Sequence, residues 1–238
     1  MSPGQSPPIN RLVAALPDDE RAGLYRYGTE MDLITGGVLL EAGDELERVY
    51  FPHAGLISLL VVMPDGAIAE AGFVGADGAV GTNHSGTPPT SFTRAVVAVG
   101  GKALSVPLNY FEQVLQRSGR LQHLIARSNN RIAERAQQLA ACNLLHNMEA
   151  RLCRWLLQVL ENSGDSDIVI TQESLAQMLG VHRTRLNEAL KTLHQLRAVT
   201  PTQRGALKII DANLIAERVC DCYVALHDTA PFDPSRFE

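Results

Sequence analysis

The chain has 238 residues, a formal net charge of −5, 45% apolar residues and 20% charged residues, which is typical of a globular protein with one or two domains. It contains no run of the roughly 18 apolar residues that a membrane helix needs, and its N-terminus does not resemble a secretory signal. Its four cysteines do not indicate a disulfide framework. These features predict a cytoplasmic protein with no membrane partner.

The first predicted elements are short helices followed by strands. Asn10 is expected to cap a helix that Pro17 ends, and the acidic residues after Pro17 restart the helix. From about Met31 to Pro107, short apolar runs alternate with Gly-rich turns. Regular short strands separated by such turns are typical of an antiparallel sandwich or barrel. Residues 83–91 are expected to form a loop.

A helical period begins at Asn109, and no strong breaker follows before residues 163–164. It predicts a long helix that ends near residues 145–147 and a second helix over residues 151–160. A long amphipathic helix often packs on its twin, so the pattern predicts a two-fold dimer. The alternative is a helix that covers the core of the β domain. The apolar stripe on which this rests is Leu121, Leu124, Ile125, Ile132, Leu139, Leu145, Met148, Leu152 and Leu156.

The stretch LAQMLGVHRTRLNEAL, residues 175–190, has the pattern of a helix-turn-helix. Ala176 provides the small side chain needed where two helices cross, and Gly180 tolerates the positive φ of the turn. Leu186 is one of the apolar residues that would join the two helices, and Thr171 stands where the first helix would be capped. The alternative is a chance pair of antiparallel helices.

The second helix of this pair, about 182–194, carries an outward polar face that suits nucleic acid. Arginine can bind guanine bidentately, and glutamate can accept a hydrogen bond from cytosine. Residues 171–208 hold six basic and two acidic residues, a local basic segment on an acidic chain. The alternative is a solvated charged face. The residues predicted to contact DNA are His182, Arg183, Thr184, Asn187, Glu188, Lys191 and, in the turn of a following hairpin, Arg204.

Strands, a long helix and a winged helix-turn-helix, in that order, resemble the Crp/Fnr transcription regulators. The resemblance is carried by TQESLAQMLGVHRTRLNEALKTL, by VYFPHAGLISLLVVMPDG and by the tail IID…VCDCY, which is similar to a subgroup with poorly defined effectors. It implies an α+β fold with an antiparallel β-roll at 1–108, a dimerisation helix at 109–147 and a winged helix-turn-helix at 148–238. It also implies a homodimer on a palindromic site. Thr184 stands where well-known members have Glu, so we expect a different half-site.

The same resemblance indicates where a cyclic nucleotide would bind. Gly75 is in place, but Ala76 stands where the family's Glu contacts the ribose, and the family's Arg position falls near residues 91–92. Losing both partners removes roughly 2–3 kcal/mol for each charged hydrogen bond. The sequence therefore does not predict cyclic AMP binding. Gly75, Asp77 and Arg94 remain the candidate effector pocket, and the effector stays unknown.

The cysteines do not predict a metal or a cofactor. An iron–sulfur cluster requires several cysteines close together, usually near the N-terminus, and the first cysteine is Cys142. Cys220 and Cys222 lie two apart on a predicted final helix, residues 213–226, and would point about 200° apart. We expect them to be small packed residues, with a redox role as the alternative. His53 and His84 are expected on the surface.

The sequence thus supports two functional classes. The first is a dimeric DNA-binding transcription regulator, for which RNA polymerase is a further partner if it activates transcription. The second is a β-roll module that binds a small molecule or a protein, with weak and non-specific DNA binding. An enzyme is not indicated, because the chain has no nucleophile elbow, metal-binding His/Glu motif or phosphate-binding glycine loop.

Overall fold

The structure is a computed structural model, and the residues it describes are 9–83, 88–163, 166–202 and 206–227. The chain forms two compact units, Met1–Ala133 and Glu134–Glu238. No helix in the described part of the chain combines the length and apolarity needed to cross a membrane.

The first unit begins with two helices, α1 (Arg11–Ala14) and α2 (Asp18–Tyr27). Asn10 caps α1, because its side-chain oxygen accepts hydrogen bonds from the backbone N–H groups of residues 12 and 13 at 3.0 and 3.3 Å. Pro17 immediately precedes α2. Both predictions for this segment are confirmed.

His53 is buried, and the prediction of a surface histidine is wrong. Its Nδ1 accepts a hydrogen bond from the backbone N–H of Asn10 at 2.9 Å, and its Nε2 lies 3.0 Å from Glu30 Oε1. The residue is only 5% exposed, and it supplies the hydrogen-bond acceptor that the buried backbone N–H of Asn10, the cap of α1, requires. His84 lies outside the described residues.

Seven strands in the described part of this unit form two antiparallel sheets, with the orders β1-β7-β3 and β2-β6-β4-β5. Residues from both sheets meet in one buried cluster, with Leu33 from β1, Ile57 from β4 and Val97 from β6 among its members. The predicted antiparallel sandwich is confirmed. The strands are β1 (Thr29–Leu33), β2 (Val38–Leu40), β3 (Arg48–Pro52), β4 (Leu56–Val62), β5 (Ile68–Val74), β6 (Arg94–Val99) and β7 (Gly101–Pro107).

The helical region after the strands is divided at Ser118, so the prediction of one uninterrupted helix from residue 109 is wrong. The two helices are α3 (Leu108–Arg117) and α4 (Gly119–Leu145). Ser118 is extended, with φ −114° and ψ 101°, and its hydroxyl accepts from the backbone N–H of Leu121 at 2.9 Å. A serine in this conformation caps a new helix rather than continuing the old one.

The N-terminal half of α4 packs on the β-roll. Leu121, Leu124 and Ile125 belong to its buried core, and Ile132 packs against the cluster between the two sheets. These members of the apolar stripe therefore cover the β domain, which is the alternative that the sequence left open. They are not free to bind a second copy of the chain.

The second unit contains α5 (Met148–Ser163) and, after it, a small three-stranded sheet and four helices in its described residues. The predicted end of the long helix near Leu145 is confirmed, and the next helix begins at Met148, before the predicted start at residue 151. The remaining elements are β8 (Asp167–Ile168), α6 (Gln172–Met178), α7 (Arg183–Gln195), β9 (Val199–Pro201), β10 (Leu207–Ile209), α8 (Ala212–Ala216) and α9 (Cys222–His227).

The prediction of a single last helix over residues 213–226 is wrong. Asp211 caps α8, whose helical hydrogen bonds end at Glu217, and α9 begins only at Cys222. Cys220 lies in the turn between them, where its carbonyl accepts from the backbone N–H of Tyr223 at 2.9 Å. The two cysteines are therefore not two positions of one regular helix.

Candidate nucleic-acid interface

The first helix of the predicted helix-turn-helix is α6. Thr171 caps it, because its hydroxyl oxygen accepts from the backbone N–H of Ser174 at 3.1 Å. Ala176 is 3% exposed, so a larger side chain would have no room at this position. The roles that the sequence gave to Thr171 and Ala176 agree with this geometry.

Gly180 makes the turn between α6 and α7, with φ at 62°. Its backbone N–H donates to the carbonyl of Gln177, and the N–H of Val181 donates to the carbonyl of Ala176, both at 3.0 Å. This pair of bonds is a Schellman motif, in which the residue at positive φ is usually glycine. The glycine in the sequence thus fixes where α6 ends and in which direction α7 leaves.

The inner side of α7 packs on the rest of the domain. Leu186 and Leu193 are fully buried, and Ala189 is nearly so. Arg151 of α5 donates a hydrogen bond to the carbonyl of Leu179 beside the turn. Burial lowers the pKa of Arg151, chiefly by desolvating its charged form. No sequence pattern distinguished this arginine from its surface neighbours, because the motif does not include its helix.

The outer side of α7 is polar and exposed. Arg185 is exposed beside the predicted residues, although the sequence argument counted only its charge. Arg204, predicted to contact the DNA backbone, lies outside the described residues. The predicted DNA-contacting residues that the structure describes are all exposed, and they are His182, Arg183, Thr184, Asn187, Glu188 and Lys191.

The N-terminus of α7 has the electrostatics of an anion site. His182 occupies the N-cap position, but its side chain makes no capping hydrogen bond, and the first turn contains no acidic residue. The backbone N–H groups of a helix start carry a partial positive charge. Arg183 and Arg185 add two full charges beside them, which suits a phosphate group.

The hairpin after α7 is confirmed, with β9 and β10 paired antiparallel and Leu207 opposite Pro201. β10 also pairs with β8, which the sequence did not predict, because only two residues form that strand. Lys208 Nζ lies 3.2 Å from Asp167 Oδ1, so the charge of this lysine is compensated locally. The turn residues 203–205 lie outside the described residues.

The predicted effector-pocket residues of the β-roll are engaged elsewhere. Asp77 Oδ2 lies 3.0 Å from Arg131 Nη1, and Arg94 Nε lies 3.2 Å from Glu41 Oε2. Gly75 lies in the turn just after β5, where its carbonyl accepts from Gly78 at 3.2 Å. These ion pairs do not bring Asp77 and Arg94 together, so the three positions remain a prediction.

A cleft of about 420 Å³ on the β-roll is lined by nine residues, and four of them are acidic. Arg48 also lines it, but its guanidinium donates to the hydroxyl and the carbonyl of Ser105 at 2.6 and 3.0 Å. The local potential is therefore negative and opposes a phosphate ligand. The acidic residues are Glu41, Asp44, Glu45 and Glu47.

The cysteines form a cluster that the sequence did not predict. Cys142, His146, Cys220 and Cys222 place their sulfur and imidazole nitrogen atoms within 4.8 Å of one another. The expectation that Cys220 and Cys222 point apart is wrong, because only Cys222 belongs to a helix. Their separation from Cys142 in the sequence concealed the cluster. The fourth cysteine, Cys153, is buried elsewhere in α5, and burial raises the pKa of its thiol to about 12.

Comparison with known proteins gives a family match for the C-terminal part of the chain and a similarity of fold over most of its length. Residues 150–218 match the family model of the Crp-like helix-turn-helix domain. No curated protein matches the chain.

Among solved structures, a transcriptional regulator of the Crp/Fnr family from Eubacterium rectale, described as putative, is similar with a TM-score of 0.67. The two are 13% identical, over 87% of this chain and 96% of that one. FixK2 from Bradyrhizobium japonicum is similar with a TM-score of 0.65 and 12% identity, over 81% and 98% of the two chains. The c-di-GMP responsive global regulator CLP of Xanthomonas campestris is similar with a TM-score of 0.64 and 14% identity, over 81% and 99%.

The resemblance seen in the sequence is thus confirmed in two independent ways. The family model covers the helix-turn-helix, and the structural similarity extends over the strands and helices that precede it. Residues 150–218 thus form a Crp-like helix-turn-helix domain, and the fold of the chain is similar to that of Crp/Fnr-family regulators.

Proposed function

We propose that the protein is a cytoplasmic homodimer that binds a palindromic DNA site through α7 and thereby regulates transcription, without enzymatic activity. The observation that carries this proposal is the exposed face of α7 beside an uncapped, basic helix start in a Crp-like domain. In this proposal residues 1–108 form the sensory domain, 109–147 the dimerisation region and 148–238 the DNA-binding domain.

The side chains of α7 suit two kinds of DNA contact. The first-turn amides and Lys191 would bind phosphates, which position the helix without reading sequence. Arg183, Asn187 and Glu188 would read base edges, because guanidinium, amide and carboxylate groups match different bases in the major groove. Thr184 would contact a base edge or a phosphate. Glu188 would discriminate between bases, since a carboxylate accepts from the amino group of cytosine and is repelled by the acceptor atoms of guanine and thymine.

A second face of α4 supports the homodimer. Six exposed residues recur at alternating steps of four and three, the heptad spacing of a coiled-coil seam. Three of them are alanines, which would let two helices approach closely, and Asn130 is the kind of polar residue that fixes register. We call these residues the alanine seam, and they are Ala126, Asn130, Ala133, Gln137, Ala140 and Leu144.

The alanine seam differs from the apolar stripe that first predicted the dimer. Part of that stripe is buried against the β-roll, whereas the residues of the seam are all exposed, with Leu144 at 86%. An exposed leucine at the end of a regular seam gains most from burial against a partner. The dimer proposal therefore stands on different residues of the same helix.

The β-roll does not favour a cyclic nucleotide as the effector. Arg94 already faces Glu41, and the cleft nearby is acidic. An anionic ligand would have to displace an ion pair and enter a negative potential. The effector therefore remains unidentified. The second candidate function, a β-roll that binds a small molecule or a protein, draws its support from the same cleft and would give only weak DNA binding.

Selection of binding sites from random duplex DNA, with purified protein and no added ligand, tests the proposal. We expect enrichment of a palindrome whose half-sites are about one helical turn apart, because a two-fold dimer presents one α7 to each half-site. A second selection adds cell extract to supply an effector. Absence of enrichment in both selections would contradict the proposal and favour the second candidate function. If a palindrome is enriched, transcription from the selected site tests RNA polymerase as a partner.

A further inference from the structure

The cluster of Cys142, His146, Cys220 and Cys222 has the composition and spacing of a metal site. Cys142 Sγ lies 3.6 Å from Cys220 Sγ, and Cys222 Sγ lies 3.5 Å from His146 Nδ1. Cys142 lies in the last turn of α4, and His146 follows its end, where its backbone N–H still donates to the carbonyl of Cys142 at 3.1 Å, so the two side chains share one face. Cys220 precedes α9, and Cys222 is its first residue. All four belong to the second unit.

Two of the six separations between the ligand atoms match a tetrahedral site. Zinc binds sulfur at about 2.3 Å and histidine nitrogen at about 2.0–2.1 Å, which places neighbouring ligand atoms about 3.5–3.8 Å apart. The separations of 3.6 and 3.5 Å lie inside that range, and all four ligand atoms lie within 4.8 Å of one another. A disulfide is not formed, because its sulfurs would be about 2.05 Å apart. We infer that these four residues bind one zinc ion.

The surrounding charges favour an anionic metal complex. Three thiolates and one zinc ion carry a net charge of −1. Arg154 is 1% exposed, its Nε has no hydrogen-bond partner, and its Nη1 donates to the neutral side chain of Gln158 at 2.6 Å. A buried guanidinium requires a nearby negative charge, since an uncompensated one is strongly destabilising.

The cysteines would supply that charge in the zinc complex. Arg154 lies near enough to Cys142 to interact electrostatically with its thiolate. Zinc binding would release the thiol protons, because the thiolate is the form that binds metal.

A neighbouring side chain would hold one of the ligands in place. Gln138 Nε2 lies 3.0 Å from Cys222 Sγ and donates a hydrogen bond to it. Amide donors to ligand atoms fix their orientation and stabilise the thiolate form. Cys142, Cys220 and Cys222 are buried, so the four residues would close the coordination shell. A closed shell of four protein ligands is typical of structural zinc, and here it would fasten α9 to the end of α4.

Metal analysis of the full chain tests this inference. The protein is purified under reducing conditions without chelators, and its metals are measured by mass spectrometry. We expect about one zinc ion per chain. The double variant Cys220→Ser/Cys222→Ser should lose at least nine-tenths of it. The control variant Cys153→Ala should retain it, because Cys153 is a buried thiol outside the cluster.

Cobalt substitution tests the site in the unaltered protein, so its result does not depend on whether the variant folds. Unaltered protein is stripped of metal, its secondary structure is checked by circular dichroism, and Co²⁺ is added. We expect the visible absorption of tetrahedral cobalt bound to thiolates, saturating at about one equivalent, and its loss on adding zinc. A metal-free protein with no such absorption overturns the inference, and so does iron in place of zinc. The inference is also overturned if the reduced protein binds no metal and oxidation joins Cys142 and Cys220 in a disulfide. None of these outcomes depends on DNA binding.

Discussion

The outer face of α7 and the cleft of the β-roll differ in how their charged groups are used. On α7, Arg183, Arg185 and Lys191 are exposed and form no ion pair within the described residues, and the helix start beside them is uncapped. In the β-roll the cleft is acidic, and Arg94 faces Glu41. Basic groups without partners attract a polyanion, whereas paired ones do not. The comparison teaches that, among the described residues of these two regions, unpaired basic groups lie on α7 and not in the cleft of the β-roll.

The largest effect is expected from preventing the two α7 helices from acting together. Ala133→Glu puts a charge in the middle of the alanine seam and should convert the protein to a monomer. Affinity for the palindrome should then fall by about 100-fold or more, because linked binding to two half-sites contributes 10²–10⁴. Analytical ultracentrifugation and DNA titration measure the two changes.

Ala22→Glu is the matched control, since Ala22 is an exposed alanine on α2, outside the seam. It should leave both the oligomeric state and the DNA affinity unaltered. A dimeric Ala133→Glu protein with full affinity would show that the seam is not the interface.

The next effect concerns base reading by α7. Arg183→Ala should weaken binding to the selected site by roughly 1–3 kcal/mol and relax specificity at one base pair. Lys191→Ala should instead weaken cognate and scrambled DNA alike and reduce the salt dependence, as expected of a phosphate contact. Fluorescence anisotropy at several salt concentrations separates the two. If Arg183→Ala weakens both DNAs equally, Arg183 is a phosphate contact and not a base reader.

A smaller effect is expected on the turn that orients α7. Gly180→Ala forces a side chain into positive φ and should reduce the free energy of unfolding by roughly 1–2 kcal/mol. Gly119→Ala is the control, because an added methyl group there meets nothing within 4 Å at the start of α4. Urea denaturation compares the two. Equal stability of the two variants would contradict the role of Gly180.

The smallest effect is expected in the β-roll. Addition of cyclic AMP should shift neither the melting temperature nor the DNA affinity, because the acidic cleft opposes a phosphate. Arg94→Ala should give the same null response to the ligand. If cyclic AMP shifts the melting temperature or the DNA affinity, and Arg94→Ala abolishes that shift, then Arg94 belongs to an effector site and the β-roll does bind a phosphate.

Local patterns predicted much of the fold. The cap at Asn10, the strands between residues 31 and 107 and the turn at Gly180 each depend on neighbours in the sequence, and each is confirmed. The break at Ser118 also has a local signal, a serine before a glycine, but the continuing apolar period concealed it. Arg197 is the opposite case. It ends α7 at a φ of 60° without the glycine that would have announced the turn.

The sequence by itself determined the order of the elements, the helix-turn-helix and the side chains that α7 presents, because periodicity, caps and turn residues act over a few positions. Only the tertiary structure decided which face of α4 is buried, where His53 lies and that Cys142 meets Cys220. The last pair is separated by 78 positions, and only the folded chain brings the two thiols together. Contacts of that range depend on packing, which no local pattern records.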